Sequence, residues 1–322
     1  MAFPNVSDII ATTIEQRSGE IADNVSNNNA LFKRLSQKGR IRPVSGGRLI
    51  YEELAFAQNA NGGWYSGYDV LPVGASDVIS AAEFSFKQLA VPVVVSGLEL
   101  LQNSGKEEII DLVEARLGVA ESTMANLLGT GAYSDGTGSG GKQLTGLDAA
   151  VPADPTTGTY GNINRATSPA NNFWRSQIST VTITSANVLS EMNKMWAKCT
   201  RGTDRPDLIM AGSTVWALYL GALMSIQRFV DSNTANLGFP SVKFMDADLV
   251  LDGGIGGAAT ATNFYFLNTK YLSLRPHKDR NMVALSPDKR SPINQDSQVQ
   301  ILGWAGNMTC RGTQFQGRIT GA

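Results

Sequence analysis

The sequence contains few charged residues, two cysteines and a single histidine. Asp, Glu, Lys and Arg make up 17% of the 322 residues, and the formal net charge is −1. Bulk charge therefore argues against strong attraction to nucleic acid or anionic lipid. Cys199 and Cys310 are far apart and form no C-x-x-C pattern, which argues against a disulfide framework or a zinc knuckle and favours two buried thiols. His277 alone cannot supply a multi-histidine metal site, and it is expected at the surface.

Long hydrophobic runs and a basic, apolar N-terminus are also missing. No stretch of about 18 apolar residues occurs, and residues 1–16 lack the pattern of a signal peptide. We therefore expect neither a membrane span nor secretion. No pair of carboxylates stands out for acid–base chemistry, and we expect no catalytic residue, no cofactor and no metal. The chain does contain 42% hydrophobic residues, over a length sufficient for a large core in about two units or in one elaborated domain.

A predicted β-hairpin is the most informative feature of the sequence. Residues 48–56 and 64–73 are rich in strand-forming residues and flank the turn sequence QNANGG. A two-stranded ribbon is marginally stable in water, and no third strand follows closely. The pattern therefore predicts that another copy of the chain covers the ribbon. We expect Trp64 and Tyr65, in its second arm, to pack across a boundary between two subunits.

A long amphipathic helix is predicted over residues 106–128, after a strand pattern at 83–96. One stripe of the helix is apolar and contains Ile110, Val113, Leu117, Ala120, Met124 and Leu127. A second stripe is acidic and contains Glu107, Asp111, Glu114 and Glu121. An acidic row of this kind is typical either of a solvated face or of a contact with a basic segment of a neighbour.

Residues 1–45 are predicted to form an arm of short helical pieces that need support from another surface. The apolar stripes of the arm are Ile9, Ile10 and Ile14, then Leu31, Phe32 and Leu35. The arm and the residues after it are basic through Lys33, Arg34, Lys38, Arg40, Arg42 and Arg48. Either solvent or an acidic neighbour can satisfy these charges, and Lys33, Arg34 and Arg48 are the candidates for contact.

The second half of the chain alternates helix and strand patterns. Residues 151–177 are rich in Pro, Gly, Asn and Thr, which predicts a surface connection. One helix is predicted to begin after a cap at Thr184 or Ser185 and to end near Arg201, and a second is predicted at 215–229. Strands are predicted at 207–211, near Phe244, at 248–251 and at 263–267. This order favours an α/β unit around a sheet. The two strand-like halves of residues 298–320 are expected beside the sheet of the first unit.

Three short patterns imitate ligand sites. Residues 136–143 have the G-x-x-x-x-G-K frame of a phosphate loop, but Gln143 replaces the metal-binding hydroxyl and the loop follows a helix. A surface turn is favoured, and a nucleotide-binding enzyme using Gly136–Lys142 is the alternative. Asp246, Asp248 and Asp252 lack the other ligands of a calcium loop and are expected to face solvent. Residues 253–257 open no helix, which favours a loop tip over a dinucleotide site.

Taken in order, these segments resemble the major capsid proteins of tailed phages, the Hong Kong-97-type fold. Residues 46–71 look like the extended loop of that family, and residues 81–105 look like the strand that leads to its spine helix. Residues 107–129, followed by Gly146 and Leu147, are similar to the spine helix and the turn after it. Three further segments look like elements of the axial domain of that family, at residues 159–167, 206–210 and 264–272. The likeness lies in order and spacing, because no single motif is diagnostic.

The resemblance implies an α+β fold in four parts. These are an N-terminal arm at 1–45, an extended loop at 46–80, a peripheral domain at 81–150 and 291–322 with spine helix 106–128, and an axial domain at 151–290. A structural, non-enzymatic protein is implied, which self-assembles into pentamers and hexamers of an icosahedral shell. The shell encloses double-stranded phage DNA without sequence-specific contact. An encapsulin-like nanocompartment shell, which encloses protein cargo, is the alternative.

The implied location is the virion, after assembly in the cytoplasm of a host bacterium. Portal, scaffold and decoration proteins are the further partners that the resemblance implies. Some family members cross-link through a lysine of the extended loop, but residues 48–73 contain no lysine, so we expect non-covalent joints. Some members also carry a long scaffold segment before the arm. The short arm here leaves no room for one, and a separate scaffold protein is expected.

Overall fold

The computed structural model describes residues 29–102, 106–223, 241–253, 257–285 and 296–321, with side chains except at 100–114, 241 and 298. The helices are α1 (Ala30–Gln37), α2 (Gly97–Gln102), α3 (Lys106–Ala132), α4 (Leu147–Ala150), α5 (Val188–Cys199) and α6 (Ser213–Leu223). The strands are β1 (Leu49–Ala55), β2 (Ile79–Ser85), β3 (Lys87–Ser96), β4 (Thr159–Tyr160), β5 (Ile163–Asn164), β6 (Gln177–Thr180), β7 (Leu208–Ala211), β8 (Ser241–Phe244), β9 (Ala247–Leu251), β10 (Asn263–Leu267), β11 (Leu272–Ala284), β12 (Ser297–Cys310) and β13 (Gly317–Thr320). Short helical turns lie at Gly138–Gly141, Asn172–Trp174 and Thr313–Phe315. None of the helices in these ranges is both long and apolar enough to cross a membrane.

Two sheets organise the chain. The larger has six strands in the order β6-β13-β10-β7-β9-β8, with β13 parallel to β6, β7 parallel to β9, and antiparallel pairing elsewhere. The smaller has the order β11-β12-β3 and is antiparallel throughout. The strands β1 and β2 form a separate antiparallel ribbon, and β4 and β5 form a second, very short one. The mixture of sheets and helices is the predicted α+β class.

The central strands of the six-stranded sheet are buried on both faces. Along β10, Phe264 and Phe266 belong to the core formed with α5 and α6, whereas Tyr265 and Leu267 belong to the core shared with α3. Successive side chains of a strand point to opposite faces, which explains this division. Strands that are covered on both faces have continuous apolar sequences. The observed strands β7, β9 and β10 confirm the predictions at 207–211, 248–251 and 263–267.

Helix α3 has 27 residues and continues past the predicted end at residue 128 to Ala132. At about 1.5 Å per residue it is roughly 40 Å long. The buried apolar side chains of its described part are those of Leu117, Ala120, Met124, Ala125, Leu128 and Ala132. The prediction for Leu127 is wrong, because this side chain is 47% exposed while Ala125 and Leu128 turn inward in the last turns. The side chains of Ile110 and Val113 lie outside the described residues.

Helix α1 packs against the rest of the chain. Asn29 caps it, because its Oδ1 accepts a hydrogen bond from the Phe32 N–H at 3.0 Å. The predicted stripe of Leu31, Phe32 and Leu35 is fully buried, which confirms it. Residues 41–44 then bridge to β11 in parallel and extend the smaller sheet at its edge. The stripe predicted from Ile9, Ile10 and Ile14 lies outside the described residues.

The hairpin forms with a second arm that differs from the predicted one. Strand β1 pairs along its whole length with β2. Residues 64–73 lie in the loop between the two strands, because a tight turn at 66–69 and Pro72 interrupt any ladder there. The single strand predicted at 83–96 accordingly divides into the end of β2 and the whole of β3.

The C-terminal residues divide between the two sheets. Strand β12 lies between β11 and β3, as predicted for the first half of the tail. The prediction is wrong for the second half, because β13 lies between β6 and β10 in the six-stranded sheet. The expected boundary at residue 290 also differs from the strand pairing. Strand β11 lies before that boundary but pairs with β12 in the smaller sheet.

Residues 151–177 form more than a surface connection, which corrects that prediction. They carry Tyr160 and Trp174 into the core together with a buried arginine, Arg165. The Arg165 guanidinium lies 5.1 Å from the centroid of the Tyr160 ring. It donates hydrogen bonds to the carbonyl oxygens of Ala149, Ala150 and Trp174 at 2.7–3.2 Å. Burial lowers the pKa of Arg165, and the carbonyl oxygens replace the water that the guanidinium loses.

Removing Arg165 should destabilise the folded chain. The substitution Arg165→Ala leaves buried carbonyl groups without donors, each at a cost of about 1–3 kcal/mol, and we expect the free energy of unfolding to fall by about 2–4 kcal/mol. Urea unfolding of the purified protein measures this loss. The matched control is Lys198→Ala on the exposed face of α5, with an expected change below about 0.5 kcal/mol. Equal effects of the two substitutions would contradict the assignment.

Candidate subunit-contact surface

The loop between β1 and β2, residues 56–78, exposes large apolar side chains. Trp64, Tyr68, Val70 and Val73 are essentially fully exposed, and Tyr65 is largely exposed. Soluble monomers rarely expose contiguous apolar patches, which usually mark interaction sites. The structure therefore places the two aromatic candidates, Trp64 and Tyr65, in one exposed loop with Tyr68, Val70 and Val73, which the sequence did not single out. The presence of Gly67 and Pro72 was the signal that this segment is a loop rather than a strand.

The ribbon that carries this loop is covered on one face. Ile50, Leu54, Ala82 and Phe84 point into the core of the same chain, whereas Tyr51 and other alternate residues are exposed. The strand period of two produces this division. The ribbon is therefore supported at its base and open on its outer face.

The ribbon and loop are also acidic. Residues 49–86 contain no Lys or Arg, and their acidic residues are Glu52, Glu53, Asp69, Asp77 and Glu83. Glu52 is buried and accepts hydrogen bonds from Arg275 Nε at 2.7 Å and from Thr309 Oγ1 at 2.9 Å, which anchors the base of the ribbon. Asp69 is exposed, and its carboxylate accepts a hydrogen bond from the Ser66 N–H at 2.7 Å within the tight turn.

The basic residues predicted to contact a neighbouring subunit have different environments. Arg34 is buried, and its Nη1 lies 3.5 Å from Oδ2 of Asp248, so the acidic group that it meets belongs to the same chain rather than to a neighbour. Lys33 is half-buried on α1, and Arg48 is exposed just before β1. A contact of Lys33 or Arg48 with another copy stays a prediction.

The acidic candidates lie on helix α3. The side chains of Glu107, Asp111 and Glu114 are outside the described residues, and Glu121 is half-buried. Their contact with basic residues of a neighbour stays a prediction.

The glycine-rich turn after α3 does not have the geometry of a phosphate loop. Ser139, Gly140 and Gly141 have positive φ angles of 54°, 67° and 79° within the turn Gly138–Gly141. No regular helix begins there to direct a row of N–H groups at an anion. Lys142 is exposed, which agrees with a surface turn. Asp135 at its start accepts hydrogen bonds from the N–H and hydroxyl of Thr137, and these lower the pKa of Asp135.

The prediction that three aspartates face solvent is wrong for Asp252. Its carboxylate is buried beside α3, where the Tyr133 hydroxyl donates a hydrogen bond to it, and burial raises the pKa of Asp252. Asp248 pairs with Arg34, and Asp246 pairs at the surface with Arg205 at 2.9 Å. In the described part of the chain, no three His, Cys, Asp or Glu side chains are grouped to hold a metal ion.

The two cysteines are buried and the histidine is half-buried within the fold. Cys199 and Cys310 are buried free thiols, as predicted, and burial raises the pKa of each to about 12. His277 is half-buried rather than fully at the surface, because its ring packs edge-on against Phe86 with centroids 5.8 Å apart.

The buried carboxyl of Asp252 should make stability depend on pH. The pKa of Asp252 in the folded protein lies above its unfolded value of about 3.9. The folded state is therefore stabilised while the carboxyl is protonated, and this stability is lost as pH rises from about 3.9 through the folded pKa. The substitution Asp252→Asn keeps an oxygen that can accept the hydrogen bond from Tyr133 and removes the titration. We expect the free energy of unfolding of the variant, measured by urea at each pH, to rise relative to wild type from about pH 4 upward. A difference between variant and wild type that stays constant with pH would refute this effect.

Comparison by sequence identifies no relatives. No protein-family model matches the chain, and no curated protein is significantly similar to it.

Solved capsid structures share the fold of this chain. The capsid asymmetric unit of cyanophage A-1(L) matches with a TM-score of 0.59 and 15% identity, over 87% of this chain and 90% of that chain. The capsid of the native GTA particle matches with a TM-score of 0.59 and 12% identity, over 89% and 90%. A structure from Mycobacterium phage Ogopogo matches with a TM-score of 0.52 and 7% identity, over 89% and 91%. The chain therefore has the Hong Kong-97-type α+β fold of tailed-phage capsid proteins.

Proposed function

We propose that the protein is the major capsid subunit of a tailed phage, which assembles into pentamers and hexamers of an icosahedral shell around double-stranded DNA. One observation carries the proposal. The loop 56–78 exposes aromatic side chains that the described part of its own chain leaves uncovered, on a fold found in phage capsids. A neighbouring copy can cover this loop, so that assembly completes the burial that folding of one chain leaves unfinished.

The parts of the chain take the roles that the resemblance implies. The peripheral domain is built on α3 and the β11-β12-β3 sheet, and the axial domain around the five-fold and six-fold centres is built on the six-stranded sheet. The protein is structural, without catalysis, and resides in the virion after assembly in the host cytoplasm. Scaffold, portal and decoration proteins are its further partners. The net charge of −1 supports a wall that does not grip the packaged DNA.

The joints between subunits are non-covalent in this proposal. The extended loop has no lysine between residues 48 and 73 that could form an amide cross-link. Boiling purified particles in denaturing detergent should therefore release single chains.

Electron microscopy of purified particles tests the function. We expect closed icosahedral shells, with double-stranded DNA inside particles from the native source. Protein cargo in place of DNA would support a nanocompartment instead. A protein that stays monomeric under every assembly condition would contradict the shell hypothesis. Neither wild type nor Lys142→Ala should bind ATP. Measurable ATP binding that is lost in Lys142→Ala would support the nucleotide-binding alternative.

A pair of tryptophan substitutions should separate assembly from folding. Trp64→Ala removes a fully exposed side chain, so we expect failure of shell assembly with a change in unfolding free energy below about 0.5 kcal/mol. Trp174→Ala empties a buried site and should lower the unfolding free energy by about 3–5 kcal/mol. Sedimentation measures assembly and urea unfolding measures stability. Normal assembly of Trp64→Ala would remove the role given to this loop.

A further inference from the structure

The loop between β1 and β2 contains an asparagine that is followed by a glycine, Asn61 and Gly62. Asn61 is half-buried and Gly62 is exposed. The Gly62 N–H closes a turn by donating a hydrogen bond to the Asn59 carbonyl oxygen at 3.1 Å. The sequence has no other Asn-Gly pair. Glycine has no Cβ, so nothing on it hinders the approach of its backbone nitrogen to the preceding side chain. A turn held by one exposed hydrogen bond opens at little cost, which frees this nitrogen.

The Asn61 side chain joins the two limbs of the loop. Its Nδ2 donates a hydrogen bond to the carbonyl oxygen of Gly74. Among the described residues, this is the one hydrogen bond that crosses the loop beyond the contact of the Phe56 N–H with the Val78 carbonyl oxygen. An ionised carboxyl group at position 61 only accepts hydrogen bonds, so it cannot replace the amide nitrogen as donor to Gly74. Loss of that nitrogen therefore removes the contact between the limbs.

The two Asp-Gly pairs of the chain have surroundings that protect them from the same attack. Asp135 accepts hydrogen bonds from the N–H and the hydroxyl of Thr137 at 2.9 and 2.7 Å, and these lower the pKa of Asp135. It therefore stays an ionised carboxylate, which is a poor electrophile. Asp252 is buried and accepts a hydrogen bond from the Tyr133 hydroxyl. The neutral amide of Asn61, beside an exposed glycine, has neither form of protection.

We propose that Asn61 is a site of spontaneous deamidation. Base removes the proton of the Gly62 N–H, and the nitrogen attacks Cγ of Asn61. The new N–Cγ bond forms, the Cγ–Nδ2 bond breaks, and the released nitrogen takes up a proton from water and leaves as ammonia. The resulting succinimide ring adds one water molecule, and one of its two C–N bonds breaks to give aspartate or isoaspartate at position 61. The reaction needs only water and no oxidant, reductant or cofactor.

The modification changes both the charge and the connection of the loop. Segment 49–86 contains five acidic residues and no Lys or Arg, so the new carboxylate adds to a negative charge that its own segment does not neutralise. The hydrogen bond from position 61 to Gly74 is lost at the same time. Deamidation therefore releases the limbs that hold residues 62–73, which carry the exposed aromatic side chains. This inference concerns the single chain and does not depend on the proposed shell function.

Mass spectrometry of the purified, unassembled chain tests the chemistry. Trypsin releases residues 49–87 as one peptide, because no Lys or Arg lies between Arg48 and Lys87. After incubation in mildly alkaline buffer, we expect this peptide to gain about 1 Da at Asn61, with isoaspartate as one product. Asn59, which precedes Ala60 in the same peptide, should keep its amide.

The matched variant is Gly62→Ala. The structure accepts it, because a Cβ at Gly62 has the Asn59 carbonyl oxygen as its nearest neighbour, at an ordinary contact distance of 3.4 Å. We expect the added Cβ to slow deamidation roughly tenfold or more. An unchanged rate in Gly62→Ala, aspartate without isoaspartate, or wild-type protein that keeps its Asn61 amide would each overturn the proposal.

Limited proteolysis tests the structural consequence. Chymotrypsin cleaves after aromatic residues, and exposed loops are its preferred sites. Asn61→Asp should be cleaved at Trp64, Tyr65 and Tyr68 roughly threefold faster than freshly purified wild type, because the loop opens more often.

The control for charge is Asn59→Asp. It adds the same charge in the same turn, and its Oδ1 can still accept the hydrogen bond that the Asn61 N–H donates at 2.9 Å. The contact of Asn61 with Gly74 is left intact, so we expect cleavage at the wild-type rate. Equal acceleration in the two aspartate variants, or none in either, would refute the release of the loop by deamidation.

Discussion

The C-terminal segment holds the two sheets in one body. Strand β12 occupies the centre of the smaller sheet, and β13, a few residues later, runs between β6 and β10 in the larger one. Neither sheet is complete until these last residues pair, and their partners lie as far back as β3. Such non-local pairing makes folding slower than local contacts do. It also makes the whole described body depend on one segment rather than on two independent domains.

The ribbon of β1 and β2 differs from this body in how much of its apolar surface is buried when the chain folds. Its inner face and the Glu52–Arg275 contact fix its base, but Trp64, Tyr68, Val70 and Val73 of its loop are almost fully exposed in the described structure. In the function proposed above, burial of these side chains is left to association. Since the hydrophobic effect scales with the apolar area removed from water, an exposed aromatic loop is a strong source of free energy for assembly.

Buried polar groups fix how the units meet. Asp148 accepts hydrogen bonds from the Tyr265 hydroxyl at 2.7 Å and from Arg318 Nη1 at 3.0 Å, which joins α4 to β10 and β13. The Tyr133–Asp252 contact joins α3 to the end of β9 in the same way. A buried polar group is costly without its partner, so each contact disfavours alternative packings of helix on sheet. These contacts hold residues that are far apart in the sequence.

The sequence alone determined the elements whose signal is local: the long helix, the strands buried on both faces, the stripe of α1 and the overall order that resembles a capsid protein. Periodicity encodes these directly, because a repeat of 3.6 or 2 residues sets which side chains share a face. Tertiary packing sets which strand pairs with β1, where β13 inserts, and that Arg165 and Asp252 are buried while Leu127 is exposed. Those outcomes depend on partners distant in the chain, and no local pattern records which partner a strand edge or a buried charge will meet.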